Sequence, residues 1–205
     1  MTNAMPRDSG LRDAVMREPS SAGRGAIRID LQHIADMVAP GSRVLDIGCG
    51  DGALLAHLKD RLRLERAIGV DLEPPPHLAP GIEVFAADAT RDPLPKAEVG
   101  ICALTLHHLL DDQVIALIRN ARRSVRKLIC LDLVRHPLPL ALYKIFMCPL
   151  LNEVAANDGC QSIRRAFTPE ELRALVAEAL IGCRARVSYW VSGVRSRQVV
   201  EITWY

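Results

Sequence analysis

Residues 43–52 read Arg-Val-Leu-Asp-Ile-Gly-Cys-Gly-Asp-Gly, and this stretch decides the fold. Arg43–Ile47 is a short, mostly apolar run with one acid inside it, the pattern of a buried strand. Gly48, Gly50 and Gly52 follow at alternate positions. Glycine permits positive φ and lets a ligand approach the backbone closely. Beyond them Leu54, Leu55, Leu58 and Leu62 fall on one face of a helix. Strand, glycine turn and helix together predict the opening unit of an alternating α/β fold, with free N–H groups and a positive dipole end at the turn.

The same alternation continues outward. Upstream, Asp30 is a good N-cap for a helix carrying Leu31, Ile34, Ala35 and Val38, ended by Pro40-Gly41. Downstream, Ala67–Leu72, Ile82–Ala86, Val99–Leu106 and Leu128–Val134 read as strands. The third of these is nearly all apolar, as a strand covered on both faces should be. Asp111 or Asp112 is expected to cap a helix that buries Val114, Ile115, Ile118, Ala121 and Val125. Thr168-Pro169-Glu170-Glu171 is a capping box with proline at the first helical position, ahead of Leu172, Leu175, Val176 and Ala179. Arg184–Val191 and Arg195–Thr203 then read as an antiparallel hairpin at the sheet edge. The expected architecture is α/β: a Rossmann-like, mostly parallel sheet, helices on both faces and a C-terminal antiparallel hairpin. One domain, 26–205, follows a flexible arm at 1–25.

Composition narrows the class. The chain of 205 residues is 49% apolar and 24% charged, which excludes collagen-like, coiled-coil and wholly disordered proteins. A net charge of +2 argues against a dedicated nucleic-acid binder. Six cysteines stand without C-x-x-C spacing, so free, mostly buried thiols are expected and no metal site. The first ten residues lack the apolar core of a secretory leader, and a cytoplasmic protein is expected.

In parallel sheets ligands bind beyond the carboxyl ends of the strands, and the acids of this chain fall there. Asp71 ends the second strand, 21 residues after Gly50, where a carboxylate can accept from both hydroxyls of a ribose. Asp88 follows the third strand and can accept from an exocyclic amine such as that of adenine. Asp46, before the glycines, can face an ammonium. A ribose, an adenine and an amino acid describe S-adenosylmethionine. The competitor is NAD, since Gly48, Gly50 and Ala53 fit G-x-G-x-x-A and Asp71 stands at the right distance. Carboxylates at Asp46 and Asp51 repel a pyrophosphate but suit a zwitterion, and a terminal hairpin is not a second parallel half. For Asp51 itself a plain turn role is an equal reading.

VLDIGCGDG (44–52), GVDLEP (69–74), AADAT (86–90) and ALTLHHL (103–109) resemble the successive motifs of class I S-adenosylmethionine-dependent methyltransferases. The seven-strand count rests partly on this likeness. It implies that Asp46, Gly48, Cys49 and Gly50 line the methionine end, Asp71 and Leu72 the ribose side, Asp88 and Ala89 the adenine. Leu104 would lie under the sulfonium. Residues 29–55 resemble the opening of the MetW proteins of methionine biosynthesis. Residues 103–180, with LTLHHL, LDLVRHPL and DGCQSIRRAFTPEEL, instead resemble small bacterial methyltransferases met beside type III polyketide synthases. The expected function is methylation, at O or C, of a small, largely apolar metabolite, polyketide-derived or isoprenoid. The alternatives are a MetW-like non-catalytic partner of a methionine-biosynthesis acyltransferase and an RNA methyltransferase.

The chemistry of the acceptor side is less explicit. His107 or His108, after the fourth strand, can serve as base for a hydroxyl, or be structural. Asp132, His136, Asp158, Arg164 and Arg165 are further candidates, with Asp158, Arg164 and Arg165 assigned to substrate. The arginine pair suits an anionic group but equally a surface. Arg119, Arg122, Arg123 and Arg126 read as a solvated helix face rather than a nucleic-acid patch. Residues 138–165 are expected to form a lid over the substrate. For its apolar first half, LPLALYKIFMCPLL, peripheral membrane contact or a plain core helix are the other readings. The oligomeric state is left open.

Overall fold

The computed structural model describes residues 32–205. The arm at 1–25 and the expected cap Asp30 lie outside the described residues. The elements are helix α1 (described over 32–37), β1 (Arg43–Ile47), α2 (Ala53–Leu62), β2 (Arg66–Asp71), β3 (Glu83–Ala86), β4 (Val99–Ala103), α3 (Asp111–Ala121), β5 (Lys127–Leu133), α4 (Pro137–Leu142), α5 (Glu153–Arg165), α6 (Pro169–Ala179), β6 (Ala185–Val191) and β7 (Arg197–Trp204).

The seven strands form one sheet in the order β3-β2-β1-β4-β5-β7-β6. The first five are parallel; β7 pairs antiparallel with β5 and with β6, so the hairpin closes one edge. Strand alternation sends neighbouring residues to opposite cores. Val44, Ile101, Ile129 and Val199 join Ile34, Ala35 and Val38 of the first helical segment and Leu55 and Leu58 of α2. Leu45, Cys102, Cys130 and Val200 join Val114 and Ile118 of α3 and Leu172 and Val176 of α6. Helices therefore cover both faces, as the apolar runs require. The order reverses between β1 and β4, which places the topological switch point at the glycine turn.

Three local expectations are corrected. The fourth strand stops at Ala103, not Leu106. Leu104 adopts φ +56° and the chain turns into a single 3-10 turn, Leu106–His108, which keeps Leu106 buried without a sheet partner. Neither Asp111 nor Asp112 caps α3: they occupy its first turn, where they complement the dipole. The cap is Leu110, whose N–H donates to Gln113 Oε1 at 2.9 Å. Finally, 138–151 is not a core helix. It breaks into α4, a π-turn at Tyr143–Met147 and a 3-10 turn at Cys148–Leu150, with Ile145, Phe146 and Leu150 exposed. The capping box at Thr168 and Glu171 is present as read, with Pro169 first in the helix. No helix among the described residues is long and apolar enough to cross a membrane.

Candidate functional site

The chain leaves β1 at Ile47 and reverses over 48–52. Gly48 has φ +75°, and a Cβ there would stand 2.5 Å from Thr105 Oγ1, so conformation and space both require glycine. This contact brings the turn after β4 directly against the turn after β1. Gly50 has φ +53° and nothing within 4 Å of an added Cβ: its backbone borders open space. The Gly48 and Cys49 N–H groups donate to the Val70 carbonyl at 2.8 and 3.2 Å, tying the turn to β2. Gly50 N–H donates to Asp71 Oδ2 at 2.9 Å and Glu73 N–H to Asp71 Oδ1 at 3.1 Å. Asp71 is thus fixed at the carboxyl end of β2, half-buried, and each oxygen keeps a further lone pair for a ligand hydroxyl.

Asp46 is 2% exposed, and no hydrogen-bond donor among the described residues reaches its carboxylate. Neither oxygen is sealed off from the surface. Burial, and then the Asp71 charge, push its pKa up to about 7. A buried carboxylate without a donor, beside an open glycine backbone, is complementary to a cation. Cys49 contributes backbone. Its thiol is pushed up to about 12 by burial and the nearby Asp46 and Asp71, and its Sγ packs where Gly69 leaves room. That excludes a nucleophilic role.

Leu72 is 65% exposed beside Asp71. The Asp88–Ala89 turn is held from within: Asp88 Oδ1 accepts the Thr90 N–H at 3.0 Å and hydroxyl at 2.6 Å, and Oδ2 pairs with Arg91. The Thr90 bonds hold the Asp88 pKa below the usual carboxylate value. Asn120 Nδ2 donates to the Ala89 carbonyl at 3.0 Å, anchoring the turn to α3. Asp51 is a turn residue, its Oδ1 accepting from Ala53 N–H at 3.0 Å. Leu104 N–H donates to the Leu131 carbonyl at 2.8 Å, which fixes its left-handed conformation at the end of β4. Glycine turn, Asp71, Leu72, the 88–89 turn and Leu104 therefore all stand at the carboxyl ends of β1 to β4.

The two histidines differ. His107 is buried; its Nδ1 lies 2.6 Å from Asp132 Oδ1 and its backbone N–H donates to Asp132 Oδ2 at 2.9 Å. His108 is exposed, its ring 4.1 Å from that of His107. Partial burial, and then His107, lower its pKa; Asp158 and Arg165 act on it from α5, which packs on the 106–108 turn. Asp158, Arg164 and Arg165 are themselves exposed. His136 is occupied elsewhere, as N-cap of α4. Segment 138–165 is internally braced: Tyr143 fills the place a Gly159 side chain would take, and Cys148 Sγ lies 3.8 Å from Cys160 Sγ. On α3, Arg119 donates to the Glu178 and Ala179 carbonyls and Arg122 to Cys183 Sγ, so these arginines brace the end of α6.

Sequence reasoning missed Thr105 and the pairing of Asp132 with His107. Thr105 carried no signal. Asp132 did, as a lone acid inside an apolar strand, the same signal as Asp46.

The fold is that of the class I S-adenosylmethionine-dependent methyltransferases. Human N-acetylserotonin methyltransferase in complex with SAM is similar at a TM-score of 0.62 and 16% identity, over 87% of this chain and 52% of that one. The plantazolicin methyltransferase BpumL, in complex with a triazolic desmethylPZN analog and SAH, matches at 0.64 and 12%, over 87% and 81%. Magnesium protoporphyrin IX methyltransferase from Synechocystis PCC 6803 with bound SAH matches at 0.61 and 18%, over 92% and 90%. The chain thus spans about half the length of the human protein and most of the other two. The model of MetW, the methionine biosynthesis protein, matches residues 28–95, which hold the glycine turn, β2 and β3. No curated protein matches the sequence.

Proposed function

We propose that this chain is a methyltransferase that binds S-adenosylmethionine across the ends of β1 to β4 and methylates a small, largely apolar acceptor beneath residues 138–165. One observation carries the reading: the donor-less carboxylate of Asp46 beside the open backbone of Gly50, with Asp71 hydrogen-bonded to that same glycine. These residues fit the ammonium and the ribose of the cofactor, and they do not fit a pyrophosphate. When bound, the cofactor supplies an electrophilic methyl on a sulfonium. Asp46 would face the amino-acid end, Asp71 would accept from the ribose hydroxyls with Leu72 beside it, the Asp88–Ala89 turn would border the adenine, and Leu104 would border the methyl. The chain's remaining task is to hold an acceptor in line within about 3–3.5 Å and keep water away. The braced segment 138–165 suits that task, with its apolar residues and with Asp158, Arg164 and Arg165 at its α5 end.

Three structural neighbours are themselves named as methyltransferases, two of them with SAH, which supports the cofactor. The MetW match over 28–95 favours a second reading, a non-catalytic partner of an acyltransferase of methionine biosynthesis. A labelled-methyl assay on a cell extract, split into lipid, RNA and protein fractions, separates them. Label in the organic-extractable fraction supports the proposal. No label in any fraction, together with capture of the acyltransferase by the pure protein, supports the partner role, and label in RNA overturns both.

A further inference from the structure

We infer that His107 is the general base of the transfer and Asp132 its positioning residue, which makes the acceptor a group that must lose a proton, as a hydroxyl does. The inference rests on the methyl-transfer reading above. Asp132 is 2% exposed and sits at the carboxyl end of β5, one strand from the end of β4 that carries His107. Its oxygens receive two backbone donors, from His107 at 2.9 Å and Leu133 at 2.6 Å, and face His107 Nδ1 at 2.6 Å. A carboxylate oxygen there is an acceptor, so the ring carries its proton on Nδ1 and presents a lone pair at Nε2. Among the described residues His107 Nε2 has no hydrogen-bond partner, yet it is not sealed inside the protein. His107 as a whole is 6% exposed, so that opening is narrow, and it stands two residues from Thr105, which touches the glycine turn at Gly48. The base is thus rigid, of fixed tautomer, and on the ligand side of the sheet.

The step balances simply. The acceptor hydroxyl gives its proton to Nε2 as its oxygen forms the new bond to the methyl carbon. The S–CH3 bond breaks with its electron pair kept by sulfur, which becomes a neutral thioether. The imidazolium then returns the proton to water. An acceptor carboxylate or tertiary amine would need no such group.

The groups around the pair are His108 on the same turn, on which Asp158 and Arg165 of α5 act, and the Cys102 thiol of β4 near Asp132. The test needs no knowledge of the acceptor. Diethyl pyrocarbonate acylates a neutral imidazole at a free lone pair, and peptide mapping by mass spectrometry resolves His107 from His108. His107 is expected to react despite its burial, to be protected at least tenfold by S-adenosylhomocysteine, and to lose reactivity in Asp132→Asn, which releases the tautomer. His108→Asn should leave the His107 reaction in place. If S-adenosylhomocysteine binds by calorimetry yet leaves the rate at His107 unchanged, the base assignment is overturned and the methyltransferase reading survives. If it does not bind, the cofactor reading has failed first. Should Asp132→Asn not fold, protection in the wild-type protein still decides.

Discussion

The two halves of the ligand edge are built differently. On the β1–β3 side the site is backbone: a glycine turn tied to Val70, a carboxylate hydrogen-bonded to that turn, and a second turn closed by its own side chains. On the β4–β5 side it is side chains from distant positions: His107 against Asp132, Asp158 and Arg165 against His108, Tyr143 against Gly159. The first half can bind one ligand well and tolerates little change. The second can be re-lined without disturbing the first, which is how one fold serves many acceptors. Mutations should therefore separate binding from turnover according to the half they strike.

The largest effect is expected at Gly48. Gly48→Ala forces a side chain into Thr105 at a φ of +75°, and should cost on the order of 2–5 kcal/mol in a denaturant melt and abolish cofactor binding. A variant that melts and binds like wild type would break the claim that this turn is sterically fixed. His107→Gln should come next, lowering methyl transfer to the fraction that takes label by about 10²–10⁴-fold with cofactor affinity within twofold of wild type. A parallel loss of affinity would place His107 in the cofactor half instead.

A smaller effect is expected from residues 138–165. Ile145 is 63% exposed, so Ile145→Asp should change stability by no more than about 0.5 kcal/mol. It should cut turnover severalfold through the acceptor, with cofactor affinity unchanged. If affinity falls in step with turnover in the folded variant, residues 138–165 belong to the cofactor site.

The same division separates what the sequence shows by itself from what it hides. β1, the glycine turn and Asp71 were legible because each announces itself locally, through alternation, glycine spacing and an acid at a strand end. The capping box at Thr168 was legible for the same reason. The end of β4 was not. Leu104, Thr105 and Leu106 extend the run, and the turn at Leu104 is held by long-range contacts, Thr105 on Gly48 among them. The helix cap at Leu110 was hidden because Gln113, a less common partner, takes the role that Asp111 or Asp112 would fill. A plain core helix was one reading of 138–151 because its apolar run is dense, but Pro137, Pro139 and Pro149 and the Tyr143–Gly159 contact break it into turns. Asp132 and His107 lie 25 residues apart, and no spacing rule couples them.

The last effect concerns Asp46 and is confined to pH dependence. With a native pKa of about 7 against 3.8, the folded ligand-free protein holds a proton that the unfolded chain has lost, so stability falls as pH rises from about 4 to about 7 and levels off above. Asp46→Asn should flatten this decline, a relative gain on the order of 1–4 kcal/mol between pH 5 and pH 8 in paired denaturant melts. An unchanged slope would mean that the carboxylate is solvated in the ligand-free protein.

The central claim is that the glycine turn and Asp71 hold S-adenosylmethionine. Isothermal titration of the wild-type protein and Asp71→Ala with S-adenosylmethionine, S-adenosylhomocysteine and NAD tests it most directly. The account predicts saturable one-site binding of the first two, weakened at least tenfold in Asp71→Ala, and no binding of NAD. Tight NAD binding with no response to S-adenosylmethionine would contradict it.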